Sequence, residues 1–186
     1  VTALTVATIG HSTREIGDLV GLLRVHGVTR LVDVRTIPRS RRHPQFDRDA
    51  MPGPLAAAGI GYAHLAGLGG LRRPRADSVN TAWRNAGFRG YADYMQTEAF
   101  ERHLLALLEL ADHDRVAIMC AEAVPWRCHR SLVSDALVAR GVAVAHITSG
   151  GPAAPHAPTA FACIDGTRVT YPAAPEQAPL PFARLT

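Results

Sequence analysis

VAIMCAEAVPWRCHRSLVSDALVARGVAVAHI, residues 116–147, is the stretch whose reading decides the fold. VAIMC (116–120) is a short run without charged or hydroxyl side chains, as a strand covered on both faces requires. SLVSDALVARG (131–141) reads as a helix with a glycine stop, and VAVAHI (142–147) as the next strand. Strand, helix and strand in close succession argue for an α/β domain with a mainly parallel sheet.

The same alternation extends outward. LTVATI (4–9) reads as a buried strand, after which Ser12 and Glu15 form an S-x-x-E capping box that opens a helix. Ile16, Leu19, Val20, Leu22 and Leu23 supply its apolar side, and Gly27 ends it. RLVDV (30–34) and IGYAHL (60–65) are two further strands. Between them, the prolines of RTIPRSRRHPQFDRD oppose regular structure, and Pro52, Gly53 and Pro54 keep any following helix short. The glycine- and arginine-rich segment 67–90 reads as a long loop, of the kind that is usually functional. From Tyr91 to Ala111 apolar residues recur at spacings of three and four, a helical pattern. The fold class expected is α/β: a single domain over residues 1–186, with a mainly parallel open sheet flanked by helices. Residues 150–186 form a proline- and alanine-rich tail, and AFACIDGTRVTYP within it predicts a C-terminal β-hairpin that packs on the domain and turns at Asp165-Gly166.

With 47% hydrophobic residues, a chain of 186 residues can bury a substantial core. No apolar stretch reaches the roughly 18 to 20 residues that span a bilayer, and VTALTVATIG carries no basic leader, so a cytoplasmic protein without membrane contact is expected. Three cysteines, Cys120, Cys128 and Cys163, suit free thiols in a reducing compartment better than a disulfide framework. The net charge of +4 invites a small anionic substrate or nucleic acid, although a basic surface can equally be solvated. All 20 basic residues are arginine, whose planar fork suits phosphate and carboxylate.

Each proposed strand ends in reactive or charged groups. Gly10, His11, Ser12 and Arg14 follow the first, Asp33 and Arg35 the second, His64 the third, and His146 with Thr148 the fifth. Cys120, Glu122, Trp126, Arg127, Cys128, His129 and Arg130 follow the fourth. In an open parallel sheet the carboxyl ends of the strands share one edge, where ligands bind, so these groups are expected to converge.

These residues also carry a resemblance. TIGHSTR, DVRTIPRSRRHPQF, GIGYAHLAGLGGLR, FRGYADYM, CAEAVPWRCHRSLV, RGVAVAHI and HAPTAFACIDGTRVTYP occur in the order found in the bacterial DUF488 family of unknown function, which the chain resembles over nearly its whole length. The resemblance implies a compact α/β domain and no established general activity. The proline-glycine break at 52–54 departs from the family pattern, in which a helix usually continues there.

Three chemistries compete at the strand ends. Six residues separate Cys120 from Arg127, which does not match a cysteine-phosphatase loop, so Cys120 reads as structural. Cys128 adjoins His129 and Arg130 near a helix N-terminus, where a thiolate is stabilised. Asp33 or Glu122 is a candidate general base, with His129 as acid or ligand and Cys128 as a further catalytic candidate. His11, Ser12, Arg14, Arg35, Ser40, Trp126, Arg127 and Arg130 are the candidate substrate- and anion-binding residues. No C-x-x-C or H-x-x-x-H pair is present and no metal is assigned, but a metal-dependent site through Cys128 and His129, with His11, His64 and Glu122 nearby, is an alternative. The cofactor and oligomeric state are not indicated.

The function expected is that of a small hydrolase or group transferase acting on a nucleotide, nucleoside or nucleic-acid base. The alternative is a non-catalytic module that binds nucleic acid or a modified nucleotide. For it, Arg39, Arg41, Arg42 and Arg48 lie around Phe46, and Arg72, Arg73, Arg75, Arg84 and Arg89 around Trp83 and Phe88.

Overall fold

β1 (Thr5–Gly10) lies within a six-stranded sheet, flanked by β4 (Val116–Cys120) on one side and β5 (Ala143–Ile147) on the other. Beyond β4 come β2 (Arg30–Asp33) and β3 (Gly61–His64), and these five strands are mutually parallel. The computed structural model describes residues 4–174; residues 175–186 of the proline- and alanine-rich tail lie outside the described residues. The α/β expectation holds, with strands at the places where the apolar runs put them. A sixth strand that the sequence does not announce, β6 (Ala154–Pro155), pairs antiparallel with β5. It is two residues long and ends in proline, which an edge position tolerates because one side of the strand needs no ladder donor.

Helices cover both faces. α1 (Ile16–Val25) and α2 (Pro52–Ala57) pack Leu19, Leu23 and Leu55 against Ile9, Leu31, Ala117 and Met119. On the opposite face α3 (Ala86–Tyr94), α4 (Glu98–His113) and α5 (Arg130–Val138) cover Val6, Val32, Ile118 and Val144. Alternate residues of one strand thus enter two cores, Val6 one and Ile9 the other, as the two-residue strand period demands. The segment after β1 therefore leaves on one face and the segment after β4 on the other. The carboxyl ends of this central pair stay open, as ligand sites in such sheets require.

Three local expectations are corrected, and one is sharpened. The Ser12–Glu15 capping box does not form: Glu15 itself is the N-cap residue of α1 and no side chain caps it. Ser12 instead has φ +50°, and its N–H is taken by Ala121 O at 2.9 Å. The helical pattern from Tyr91 to Ala111 is two helices, because Thr97 Oγ1 accepts from Phe100 N and donates to Tyr94 O, starting a new helix. The helix after the Pro52-Gly53-Pro54 break is short, six residues, as expected, and the break forms its first turn, where a missing N–H leaves no bond unmade. The hairpin forms as β7 (Cys163–Asp165) and β8 (Arg168–Thr170), but Asp165 pairs with Arg168, so the turn residues are Gly166 and Thr167. Gly166, at φ +57°, supplies the left-handed residue that two-residue hairpins favour. Val169 is buried and Tyr171 wholly so, which seats the hairpin segment against the core. No helix among the described residues is long and apolar enough to cross a membrane.

Candidate functional site

Two clefts open at the carboxyl edge of the sheet. The first, of about 500 Å³, is lined by Cys120 from β4, Cys128 and His129 from the segment before α5, and Phe88 and Tyr91 from α3. Leu71 and Ile37 form its outer wall. The second, of about 510 Å³, is lined by His11, Ser12 and Thr13 after β1, and by Arg39, Ser40, Arg42 and His43 after β2. Arg35, Ile37, Ala121 and Glu122 border both, so the clefts adjoin along a shared wall.

Gly10 explains how β1 meets that wall. A Cβ on this residue would lie 1.9 Å from the Glu122 carbonyl oxygen and 2.8 Å from Ala123 Cα. Only glycine lets the loop after β4 fold down against the end of β1. His11 N and Ser12 N then donate to Cys120 O and Ala121 O, both at 2.9 Å.

Asp33 lies at the end of β2, fully buried, and lines neither cleft. Its oxygens accept from Arg35 N at 3.0 Å, Arg35 Nε at 2.9 Å, Arg35 NH2 at 2.6 Å and Tyr62 O–H at 2.8 Å. A carboxylate so occupied orients Arg35; it does not offer a lone pair to substrate. Arg35 is also held by Phe46 O at NH2 and by His11 Nε2 at NH1, 2.6 and 3.2 Å away. His11 stacks on Phe46 with ring centroids 4.2 Å apart. Burial is the chief reason that its pKa falls to about 4, with the Arg35 charge acting in the same direction. The neutral ring carries its proton on Nδ1, which donates to Ser12 O at 2.9 Å, and accepts from Arg35 at Nε2. Phe46 is wholly buried by this arrangement, so the stacking platform expected among Arg39, Arg41, Arg42 and Arg48 is core instead.

The thiols form the other half of the site. Cys120 and Cys128 are both buried and free, and Cys163 is exposed. Arg130, 1% exposed, donates from Nε to Cys120 Sγ at 3.0 Å, and its backbone N–H faces Cys128 Sγ at 3.5 Å. A hydrogen bond from the Cys120 thiol, the Arg130 charge and that backbone N–H together bring Cys128 down to about 6 against the opposing effect of burial. Cys120, the donor of the pair, is pushed well up by the same hydrogen bond and by burial. His129 places Nδ1 3.6 Å from Cys128 Sγ, and its Nε2 lies 3.1 Å from Val34 O. Donation to that carbonyl puts the proton on Nε2 and leaves Nδ1 as a base beside the sulfur. Burial lowers the His129 pKa, which keeps the ring neutral.

The remaining candidates divide. Glu122 is exposed on the wall common to both clefts, Arg127 lines the thiol cleft, and Ser12 and Ser40 line the arginine cleft. Arg14 is in neither lining; it donates to Gly10 O and to Thr148 O, tying β1 to the residues after β5. Trp126 is 72% exposed outside both linings. His64 Nε2 meets Arg35 O at 2.8 Å, a support for the loop. No group of three or more His, Cys, Asp or Glu side chains among the described residues is placed to hold a metal ion, so the alternative through Cys128 and His129 lacks a ligand set there. Sequence reasoning did not single out Tyr91 and Leu71 of the thiol cleft, or Asp135 and His156 behind it. A carboxylate among Leu132, Val133, Ala136 and Leu137 is the one signal that pointed to Asp135.

Comparison with curated proteins and with solved structures returns no match for the chain. The family model described as "Domain of unknown function DUF488" matches residues 15–137, well over half of the chain, from α1 almost to the end of α5. The chain belongs to the DUF488 family.

Proposed function

We propose that the protein is a thiol-dependent hydrolase or group transferase acting on a nucleotide, nucleoside or nucleic-acid base, with Cys128 as nucleophile. The observation that carries this reading is Arg130. It is a guanidinium buried to 1% exposure, without a carboxylate partner among the described residues, set against a thiol pair on the floor of an open cleft. A buried cation demands an anion: the guanidinium meets the protonated Cys120, and the lowered thiol beside it, held by the Arg130 backbone N–H, is Cys128.

Cys128 Sγ bonds to an electrophilic carbon or phosphorus, and the bond to the leaving group breaks with its electron pair. When the sulfur begins protonated, His129 Nδ1 takes that proton and passes it to the leaving group. Water or a second acceptor, deprotonated by the exposed Glu122, then displaces the sulfur, which departs as thiolate. A planar ring suits the thiol cleft between Phe88, Tyr91 and Leu71, and a phosphate suits the adjoining cleft with Arg39, Arg42, Ser12 and Ser40.

A panel of nucleosides, nucleotides and short oligonucleotides, followed by chromatography and intact-mass spectrometry, tests this. Turnover by the wild type, lost in Cys128→Ser with ligand binding retained, is the expected result; full turnover in Cys128→Ser overturns it. The second reading is a binding module without turnover. The exposure of Ile37 and Leu71, at 67% and 82%, favours it as an apolar rim around the cleft mouth. Ligand binding by the wild type with no product and no covalent adduct would select the module.

A further inference from the structure

Behind the thiol cleft, polar side chains run through the interior in a single file that the proposed chemistry leaves unused. Thr8 is fully buried in β1, His146 nearly so in β5, and Asp135 fully so in α5, while His156 enters at the end of β6. Arg130 NH1 lies 3.2 Å from Thr8 Oγ1. Thr8 Oγ1 lies 2.8 Å from His146 Nδ1, His146 Nε2 lies 3.0 Å from His156 Nδ1, and His156 Nε2 lies 2.8 Å from Asp135 Oδ1.

The direction of the links follows from the two ends of the file. A guanidinium only donates, so Thr8 accepts from Arg130; a carboxylate only accepts, so with both imidazoles neutral, reading back from Asp135, the single Thr8 proton goes to His146 Nδ1. A neutral His146 that accepts at Nδ1 carries its proton on Nε2 and gives it to His156 Nδ1. His156 in turn carries its proton on Nε2 and gives it to Asp135. The file ends on a carboxylate that also accepts from Thr159 N, Thr159 Oγ1 and Tyr171 O–H. Burial alone would raise the Asp135 pKa, but these donors outweigh it and hold the group ionised. His146 is kept neutral, at about 4, chiefly by burial, with the Arg130 charge acting in the same direction.

We propose that Thr8, His146, His156 and Asp135 are positioning residues: a one-way hydrogen-bond relay that gives Arg130 a permanent buried counter-anion and fixes its guanidinium against the Cys120–Cys128 pair. This rests on the reading of Cys128 as nucleophile. Arg130 stands between two anions, Asp135 at one end of the file and the Cys128 thiolate beyond Cys120 at the other. When the thiolate is consumed in a covalent adduct, Asp135 remains, and the guanidinium keeps its place until the sulfur is released. The other groups facing the thiols are His129 from the start of α5, Tyr91 from α3 and, farther off, Arg72. None of them touches the relay.

The test is the pH profile of Cys128 alkylation by iodoacetamide in a full-length Cys163→Ser background, with Thr8→Val and Thr8→Ser added. Valine keeps the shape of threonine and removes both hydrogen bonds of the link; serine keeps them. Thr8→Val is expected to raise the midpoint and slow alkylation at pH 7 at least fivefold, and Thr8→Ser to return it to within twofold. A folded Thr8→Val protein with the unchanged midpoint overturns the relay and leaves the thiolate reading standing. A midpoint in the ordinary cysteine range in the parent protein overturns both. Histidine tautomers from ¹⁵N NMR of the parent provide a reading without the valine variant: Nε2–H at both His146 and His156 is expected, and Nδ1–H at either overturns the direction of the chain.

Discussion

Arg35 straddles the carboxylate of Asp33, with NH2 2.6 Å from Oδ2 and Nε 2.9 Å from Oδ1, and the two side chains are 8% and 0% exposed. The pair fixes the wall shared by the two clefts. Removing the charge of Asp33 strands Arg35 in the interior, which costs about 3 to 5 kcal/mol for a buried pair. Asp33→Asn is therefore expected to lose that order of stability in denaturant unfolding, and Tyr62→Phe about 1 kcal/mol for one hydrogen bond. An Asp33→Asn protein of unchanged stability that has lost turnover would make Asp33 a chemical base.

Arg130 contributes both charge and hydrogen bonds to the thiol pair. Arg130→Met removes the charge and the side-chain hydrogen bonds but keeps the backbone N–H and the Cys120 thiol, so Cys128 is expected to move part of the way from about 6 toward the ordinary cysteine value. A full return to about 8.5 would cut the thiolate fraction at pH 7 about 30-fold, so the alkylation rate is expected to fall by less than that. Arg130→Lys is expected to fall between, since one ammonium cannot face Cys120 Sγ, Thr8 Oγ1 and Glu122 O together as the guanidinium does. Equal alkylation rates at pH 7 in all three proteins would remove Arg130 from the account.

Stability is expected to decline as pH falls from 6.5 to 4. His11 and His146 both have folded pKa values of about 4, below the model-peptide value of 6.5. Above pH 6.5 both are neutral folded and unfolded and contribute no slope; below it the unfolded chain takes up protons that the folded chain refuses. Each histidine gives a slope of about 1.4 kcal/mol per pH unit inside the window. His129, also lowered, adds in the same direction. Asp135, lowered from 3.8, gives up its contribution only at more acid pH. Urea unfolding at pH 7, 6, 5 and 4.5 measures the slope, and His11→Gln is expected to reduce it by one proton. A flat profile would contradict the burial of these rings as neutral species.

The parallel sheet was legible because its strands are short apolar runs broken by turn residues. Thr8 and His146 are the two polar side chains in those runs that become relay members, and nothing in a period-two pattern shows that they face each other across a strand pair. His156 and Asp135 are 21 residues apart in sequence and meet only because β6 folds back on β5. The two-residue length of β6 leaves no periodicity to read. Ser12 and Glu15 carry the lettering of a capping box, yet the Ser12 N–H is claimed by Ala121, a tertiary contact that overrides the local signal. Thr97 gives the opposite case: it caps α4 with Phe100, not an acidic residue, at the third helical position, so no box pattern marked the break. Convergence of His11, Glu122 and His129 on one sheet edge was readable from topology. The burial of Asp33 under Arg35 and Tyr62 was not, because Tyr62 reaches it from a neighbouring strand.

The most direct measurement is the rate of iodoacetamide alkylation at Cys128 in Cys163→Ser protein from pH 4.5 to 9.5, followed by intact mass and by ultraviolet thiolate absorbance. The account predicts a single modification whose rate is half-maximal near pH 6, in line with the lowered Cys128 pKa, and which is absent in Cys128→Ser. A midpoint near the ordinary cysteine value of about 8.5, or an unchanged low-pH modification in Cys128→Ser, would contradict it.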